Sequence, residues 1–174
     1  GQPLGLTGPV SLEVWVKPTG ESKGLACLLG QDLHSYLLGF SGKGHCYWYI
    51  GKGTNHLGAK VKMNQWNHIA ATFDGERMTL WLNGRHVAER VSTTKSYDKR
   101  DLFRFATKGR PDLSHFKGML DNVRLYSRAL TEQQIVDHVT KEAGDYGITI
   151  PPKHAAVLHY AFDKDTGDIA KDIS

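Results

Sequence analysis

The sequence predicts a turn-rich all-β domain, and three observations carry that expectation. The stretch from Gln65 to Arg90 alternates apolar and polar residues, its connections are Asp74-Gly75 and Asn83-Gly84, and similar short alternations recur through the 174 residues. Alternation with period two places one set of side chains on each face of a strand, the pattern of a half-buried sheet. Asn-Gly and Asp-Gly accept the positive φ of tight hairpin turns at little steric cost. Ile69, Ala71 and Phe73 alternate with His68, Ala70 and Thr72, and Met78, Leu80 and Leu82 alternate with Thr79 and Trp81. With a third strand after Asn83-Gly84, this is a β-meander.

Composition agrees with one domain. A chain of 174 residues can bury roughly two thirds of its unfolded surface, and 40% hydrophobic content with 19 glycines fits many short strands and turns better than a helical bundle. No apolar run approaches the roughly 20 residues of a membrane helix and no signal peptide opens the chain, so a soluble module excised from a larger protein is expected. The 22 Lys and Arg against 18 Asp and Glu give +4, scattered rather than striped, which argues against a nucleic-acid partner. The densest basic group, Lys95, Lys99, Arg100, Arg104, Lys108 and Arg110, is interrupted by Asp98, Asp101 and Asp112 and reads as a solvated loop face.

Taken in order, Val10, Leu12, Val14 and Val16 form the core face of a strand ended by Pro18, and its other face carries Glu13 and Trp15. Leu25 to Gly30 and Tyr36 to Phe40 are two further strands. In His45 to Ile50, Cys46, Trp48 and Ile50 share one face while His45, Tyr47 and Tyr49 share the other. That second set is either a stacking platform for sugar rings or simply the covered outer side of a sheet. Gly51 to Lys60 reads as a polar loop, Val61 to Met63 as a short strand, and Leu102 to Ala106 as another. Phe116 to Tyr126 is a strand whose alternation slips between Leu120 and Val123, which predicts a bulge or a change of sheet at Asp121 and Asn122.

One helix is predicted. Thr131 caps it, Gln134 completes the capping box, Leu130 staples to Ile135, and Ile135, Val136 and Val139 form its buried stripe before Gly144. After Pro151 and Pro152, Ala155 to Phe162 alternates as one more strand. Cys27 and Cys46 fit no zinc spacing; they are either two buried thiols or one bridge. Asp163, Asp165 and Asp168 lack the spacing and twelfth-position Glu of an EF-hand.

WNHIAATFDGERMTLWLNG, with PLGLTGPVSLEVWVKP before it and FKGMLDNVRLYSRALTEQQI after it, resembles the laminin-G-like modules of the concanavalin A-like lectin/glucanase superfamily, in the bacterial, pentraxin-like form. The resemblance implies a two-sheet antiparallel jelly-roll sandwich with one short helix. VLHYAFDKDTGDIAKDIS resembles that family's first strand, yet it stands last. The expected organisation is therefore a domain over residues 1–150 and a C-terminal segment, 151–174. That segment either opens a second module or completes the same sandwich by pairing Val157–Phe162 with Asp121–Tyr126, in cis or as a strand-swapped oligomer. The resemblance also implies a structural Ca²⁺ between the first and last strands, with Asp121 and Asp163 at the matching positions.

Polysaccharide-cleaving members of the superfamily carry a Glu-x-Asp-x-x-Glu strand, because glycoside hydrolysis needs two carboxylates flanking the bond. No such run occurs here and Glu13 is alone on its strand, so no enzyme is expected. The expected function is a binding module of a larger extracellular or cell-surface bacterial protein, recognising a glycan. Its rivals are a protein-interaction or spacer role and, behind them, a polysaccharide-degrading enzyme. Trp15, Tyr47, Tyr49 and Trp81 lie out of the core phase and supply aromatic faces, with Glu13 and Arg124 beside them for hydroxyls.

Overall fold

In the computed structural model the described residues are 6, 8–30, 35–42, 44–51, 55–94, 104–105 (backbone only) and 115–150. Among the described residues ten strands form two antiparallel five-stranded sheets: β1 Val10–Pro18, β2 Ser22–Gly30, β3 Tyr36–Gly42, β4 His45–Ile50, β5 His56–Lys60, β6 Asn67–Phe73, β7 Arg77–Leu82, β8 Arg85–Val91, β9 Arg104–Phe105 and β10 Gly118–Tyr126. One sheet has the order β10-β1-β6-β7-β8 and the other β5-β4-β3-β2-β9. The predicted all-β sandwich with one helix is the observed fold. No helix among the described residues is long and apolar enough to cross a membrane.

The inward sets predicted from alternation meet between the sheets. Leu12, Val14, Val16, Ile69, Phe73 and Leu80 from the first sheet share one cluster with Leu28, Leu38, Phe40, Trp48 and Ile50 from the second. Trp48 ties the layers polar group to polar group, its Nε1 donating to the carbonyl of Thr72 at 3.1 Å. A buried indole N–H needs such a partner.

The turn chemistry acts as read. Asp74 Oδ1 accepts from the N–H groups of Glu76 and Arg77 at 2.8 and 2.6 Å, and Asn83 and Gly84 sit at φ +50° and +76°. Gly84 has a second reason to be glycine: a Cβ there would lie 2.8 Å from Val139 Cγ1 of the helix. The phase slip in β10 is a bulge. Glu13 pairs with Arg124 and Trp15 with Asp121, so β10 spends one residue more than β1, and Asn122 takes φ +45°. The extra residue lets Leu120, Val123 and Leu125 all pack on the core while Asp121 and Arg124 face out.

Helix α1, Glu132–Glu142, starts at the capping box of Thr131 and Gln134. It runs past the expected stop at Gly144 into a 3₁₀ turn, Ala143–Tyr146, and ends at Gly147 with φ +63°. Two strand assignments change. His56–Lys60, expected as loop, pairs with β4 through Leu57 opposite Trp48, whereas residues 61–63 form no strand. Neither cysteine is in a disulfide, which decides between thiols and bridge. Cys27 aligns with Gly39 and so with Tyr47, whereas Cys46 points into the core, so the two lie on opposite faces of one sheet. The 155–162 strand, Asp163 and the side chains of the 95–110 basic group lie outside the described residues. Among the described residues β10 pairs on one side only, with β1.

Candidate functional site

The two outer faces of the sandwich divide the residues expected to bind ligand. On the second sheet, alternation along β4 brings His45, Tyr47 and Tyr49 to the solvent side, and β5 adds His56. Tyr47 and Tyr49 have ring centroids 6.1 Å apart, and His56 lies 5.9 Å from Tyr47 and 5.0 Å from Tyr49. His45 continues the row, its ring stacked at 26° to Tyr47 and 6.4 Å away. Gly58, opposite Tyr47, leaves room for that ring, since a Cβ there would sit 3.2 Å from Tyr47 Cδ1 and Cε1. Both tyrosines are half-buried and His45 is exposed. Burial, then the neighbouring Tyr47, raises the Tyr49 phenol above its ordinary pKa, so it stays a neutral donor. His56 escaped the sequence reading because HLGAK has a single large apolar residue, too little to show alternation.

On the first sheet the outer face is closed. Ser11, Glu13, Trp15, His68, Ala70 and Trp81 lie beneath α1 and the turn that follows it, and Trp15, Glu13 and His68 are fully buried. Trp15 stacks on Tyr146 at 4.0 Å and 18°, and its Nε1 donates to Glu142 Oε2 at 2.7 Å. Arg124 donates to both oxygens of the same Glu142. Ser11 Oγ donates to Arg128 O and accepts from Leu130 N, each at 2.9 Å, which fixes the approach to the helix.

Glu13 is an anchor under this lid. Its Oε2 lies 2.9 Å from His138 Nδ1 on α1 and its Oε1 lies 3.7 Å from His68 Nε2. Burial raises the Glu13 pKa against the opposing pull of His138. Burial likewise takes His68 down to about 3, so it is neutral. The expectation that Glu13, Trp15, Trp81 and Arg124 form one ligand surface with Tyr47 and Tyr49 is therefore corrected. The two groups belong to different sheets facing opposite ways, and the first group is spent on holding the helix.

Asp121 accepts from the Asn122 N–H at 2.7 Å and from the Tyr146 hydroxyl. Among the described residues no three His, Cys, Asp or Glu converge as a metal site. Asp121 by itself does not make an ion site.

The family described as Laminin_G_3, concanavalin A-like lectin/glucanases superfamily, matches residues 2–136. No curated protein matches the sequence. A Bacteroides ovatus ATCC 8483 protein named as a candidate carbohydrate-binding protein superposes with TM-score 0.66 at 18% identity, over 99% of this chain and 52% of its own. The Ruminococcus gnavus IT-sialidase CBM40, solved bound to α2,3-sialyllactose, gives 0.66 at 15% identity over 78% and 84%. The binding domain of botulinum neurotoxin DC, solved with rat synaptotagmin II, gives 0.60 at 10% over 79% and 37%. At such identities the likeness is one of fold, and this chain spans about half the length of the Bacteroides protein.

Proposed function

The chain belongs to the Laminin_G_3 family of the concanavalin A-like lectin/glucanase superfamily, and from that premise we propose that it is a non-catalytic module that binds a glycan through Tyr47, Tyr49, His45 and His56. One observation carries the reading: four rings line one sheet face, two of them tyrosines that are only partly buried. Aromatic faces take the apolar side of a pyranose, while phenol and imidazole nitrogens address hydroxyls. None of these four residues is a carboxylate, and Glu13 is sealed under α1. That supports binding without hydrolysis, which needs a carboxylate pair. Extracellular or cell-surface placement follows from a glycan partner.

A glycan array followed by calorimetry tests this. Wild type binds a neutral or acidic oligosaccharide, and Tyr47→Ala and Tyr49→Ala each weaken it about tenfold, or about 1.4 kcal/mol. Absence of any glycan signal, with a protein partner lost on the same substitutions, would establish the protein-interaction reading instead.

The C-terminal segment 151–174 and calcium enter as one linked proposal. Val157–Phe162 completes the sheet beside β10, in the same chain or a partner copy, and Asp163 joins Asp121 at a Ca²⁺. A chain ended at Ile150 should melt lower than the full chain and lose any response of its melting temperature to Ca²⁺. Identical melting of the two, with no response to chelation in the full chain, refutes both parts.

A further inference from the structure

A cleft of about 410 Å³, within the range of small-molecule sites, opens at one end of the first sheet. The 62–67 turn, the β7–β8 hairpin and residues 147–150 form its walls. It is distinct from the Tyr47 face and shares none of its residues. Among the described residues two cations line it, Lys62 and Arg85, and no carboxylate side chain does. Both are exposed, and among the described residues neither is paired with an acid. A concave surface lined by one sign of charge concentrates the opposite sign.

The walls are fixed before any ligand arrives. Asn67 is buried and holds the turn closed, its Nδ2 donating to the carbonyls of Lys62 and Gln65 at 2.9 and 2.8 Å while its Oδ1 accepts from Lys62 N at 3.1 Å. Across the cleft, Asn83 Oδ1 accepts from His68 N at 2.8 Å, and Asn83 N donates to His68 O at 2.9 Å. Trp66 is a half-buried aromatic wall braced edge-on by Tyr146 at 5.0 Å. On the third side Ile148 N donates to Ala143 O at 2.9 Å. A preformed site spends less of its interaction energy on ordering itself.

We propose that this cleft is a second binding site, selective for an anionic sugar residue, a pyranose carrying a carboxylate or sulfate. Lys62 and Arg85 take the anionic group, Arg85 with the planar fork that matches two oxygens. Trp66 takes the apolar edge of the ring, and Gln65 and Thr149 reach its hydroxyls from the exposed margin. The site stands independently of the Tyr47 face, because no residue is common to both.

Calorimetry on the full chain tests it with three probes: trigalacturonate, a sulfated chondroitin disaccharide and neutral galactotriose. One or both charged probes should bind at least tenfold tighter than galactotriose, and the preference should shrink as salt rises. Lys62→Ala and Arg85→Ala, both exposed substitutions, should each weaken the charged probe about tenfold or more, with galactotriose little changed. Tyr47→Ala should leave unchanged the salt-sensitive preference for the charged probe over galactotriose. Which charged probe binds identifies carboxylate or sulfate as the group recognised. Equal binding of charged and neutral probes, no binding of the charged ones, or affinity unchanged in Lys62→Ala and Arg85→Ala overturns the proposal. Loss on Tyr47→Ala alone would place all sugar binding on the other face and overturn it too.

Discussion

Trp15 and Tyr47 hold the same position in the sequence pattern, each an aromatic residue one step out of phase with a core strand. In the fold Trp15 is fully buried, stacked on Tyr146 and bonded to Glu142, whereas Tyr47 is only partly buried. The difference is made elsewhere, by the helix that follows β10 and lies across the first sheet. Alternation reports which face a side chain takes. Whether that face is open depends on an element some 120 residues away in the chain.

The largest expected effect tests that contrast directly. Trp15→Ala removes a buried indole, its stacking partner and its bond to Glu142, and should cost about 3–5 kcal/mol. For a chain of this length each kcal/mol lowers the melting temperature by roughly 2–4 °C. Tyr47→Ala, on the open face, should cost about 1 kcal/mol or less. Thermal melts of the two variants read the difference; comparable losses would mean that the two faces do not differ as described.

A smaller effect sharpens the account of the closed face. His68 is neutral in the folded chain, its pKa down to about 3 from the ordinary 6.5 chiefly through burial. The unfolded chain takes up its proton near the ordinary value, so His68's contribution is complete above that pH. It is lost as pH falls toward the folded value, at up to about 1.4 kcal/mol per pH unit. Glu13 has the opposite sign. Its pKa is raised from 4.5, so its contribution is full below that value and declines as pH rises through the folded one. Comparison with His68→Gln separates the two. Between pH 6.5 and 5, wild type should lose melting temperature more steeply than the variant. Parallel curves would show that α1 does not exclude water from His68.

Much of this architecture was legible because it is local. The Asp74-Gly75 and Asn83-Gly84 turns, the capping box at Thr131 and the slip between Leu120 and Val123 are each set by a few neighbouring residues, and each appears in the fold. The candidate site was legible only in part. His45, Tyr47 and Tyr49 announce themselves by alternation on one strand. His56 does not, because its strand is held by pairing with β4 and by Leu57 rather than by a pattern of its own. Glu13 and Trp15 misled for the converse reason. Their partners Glu142, His138 and Tyr146 come from a helix and turn whose docking no short window of sequence contains. Lys62 and Trp66 come from one turn, Arg85 from the β7–β8 hairpin and Thr149 from the chain after α1, so no single spacing links them.

The smallest effect bears on the open face alone. Gly58 has ordinary strand geometry, so alanine is tolerated by its backbone, and replacing glycine within a strand gains roughly 0.5–1 kcal/mol of backbone entropy. Against this, the new Cβ would lie 3.2 Å from Cδ1 and Cε1 of Tyr47, a contact relieved by a few tenths of an ångström of movement. The Tyr47 ring has solvent on one side and can supply that movement by tilting. Stability should therefore change by less than about 1 kcal/mol in either direction. A glycan seated on Tyr47 and Tyr49 requires the two rings in register, so its affinity should fall several-fold in Gly58→Ala while the melting curve hardly moves. Unchanged affinity beside a tenfold loss in Tyr47→Ala would mean that the ring's presence matters and its tilt does not. Unchanged affinity in both variants would remove this face from the binding site.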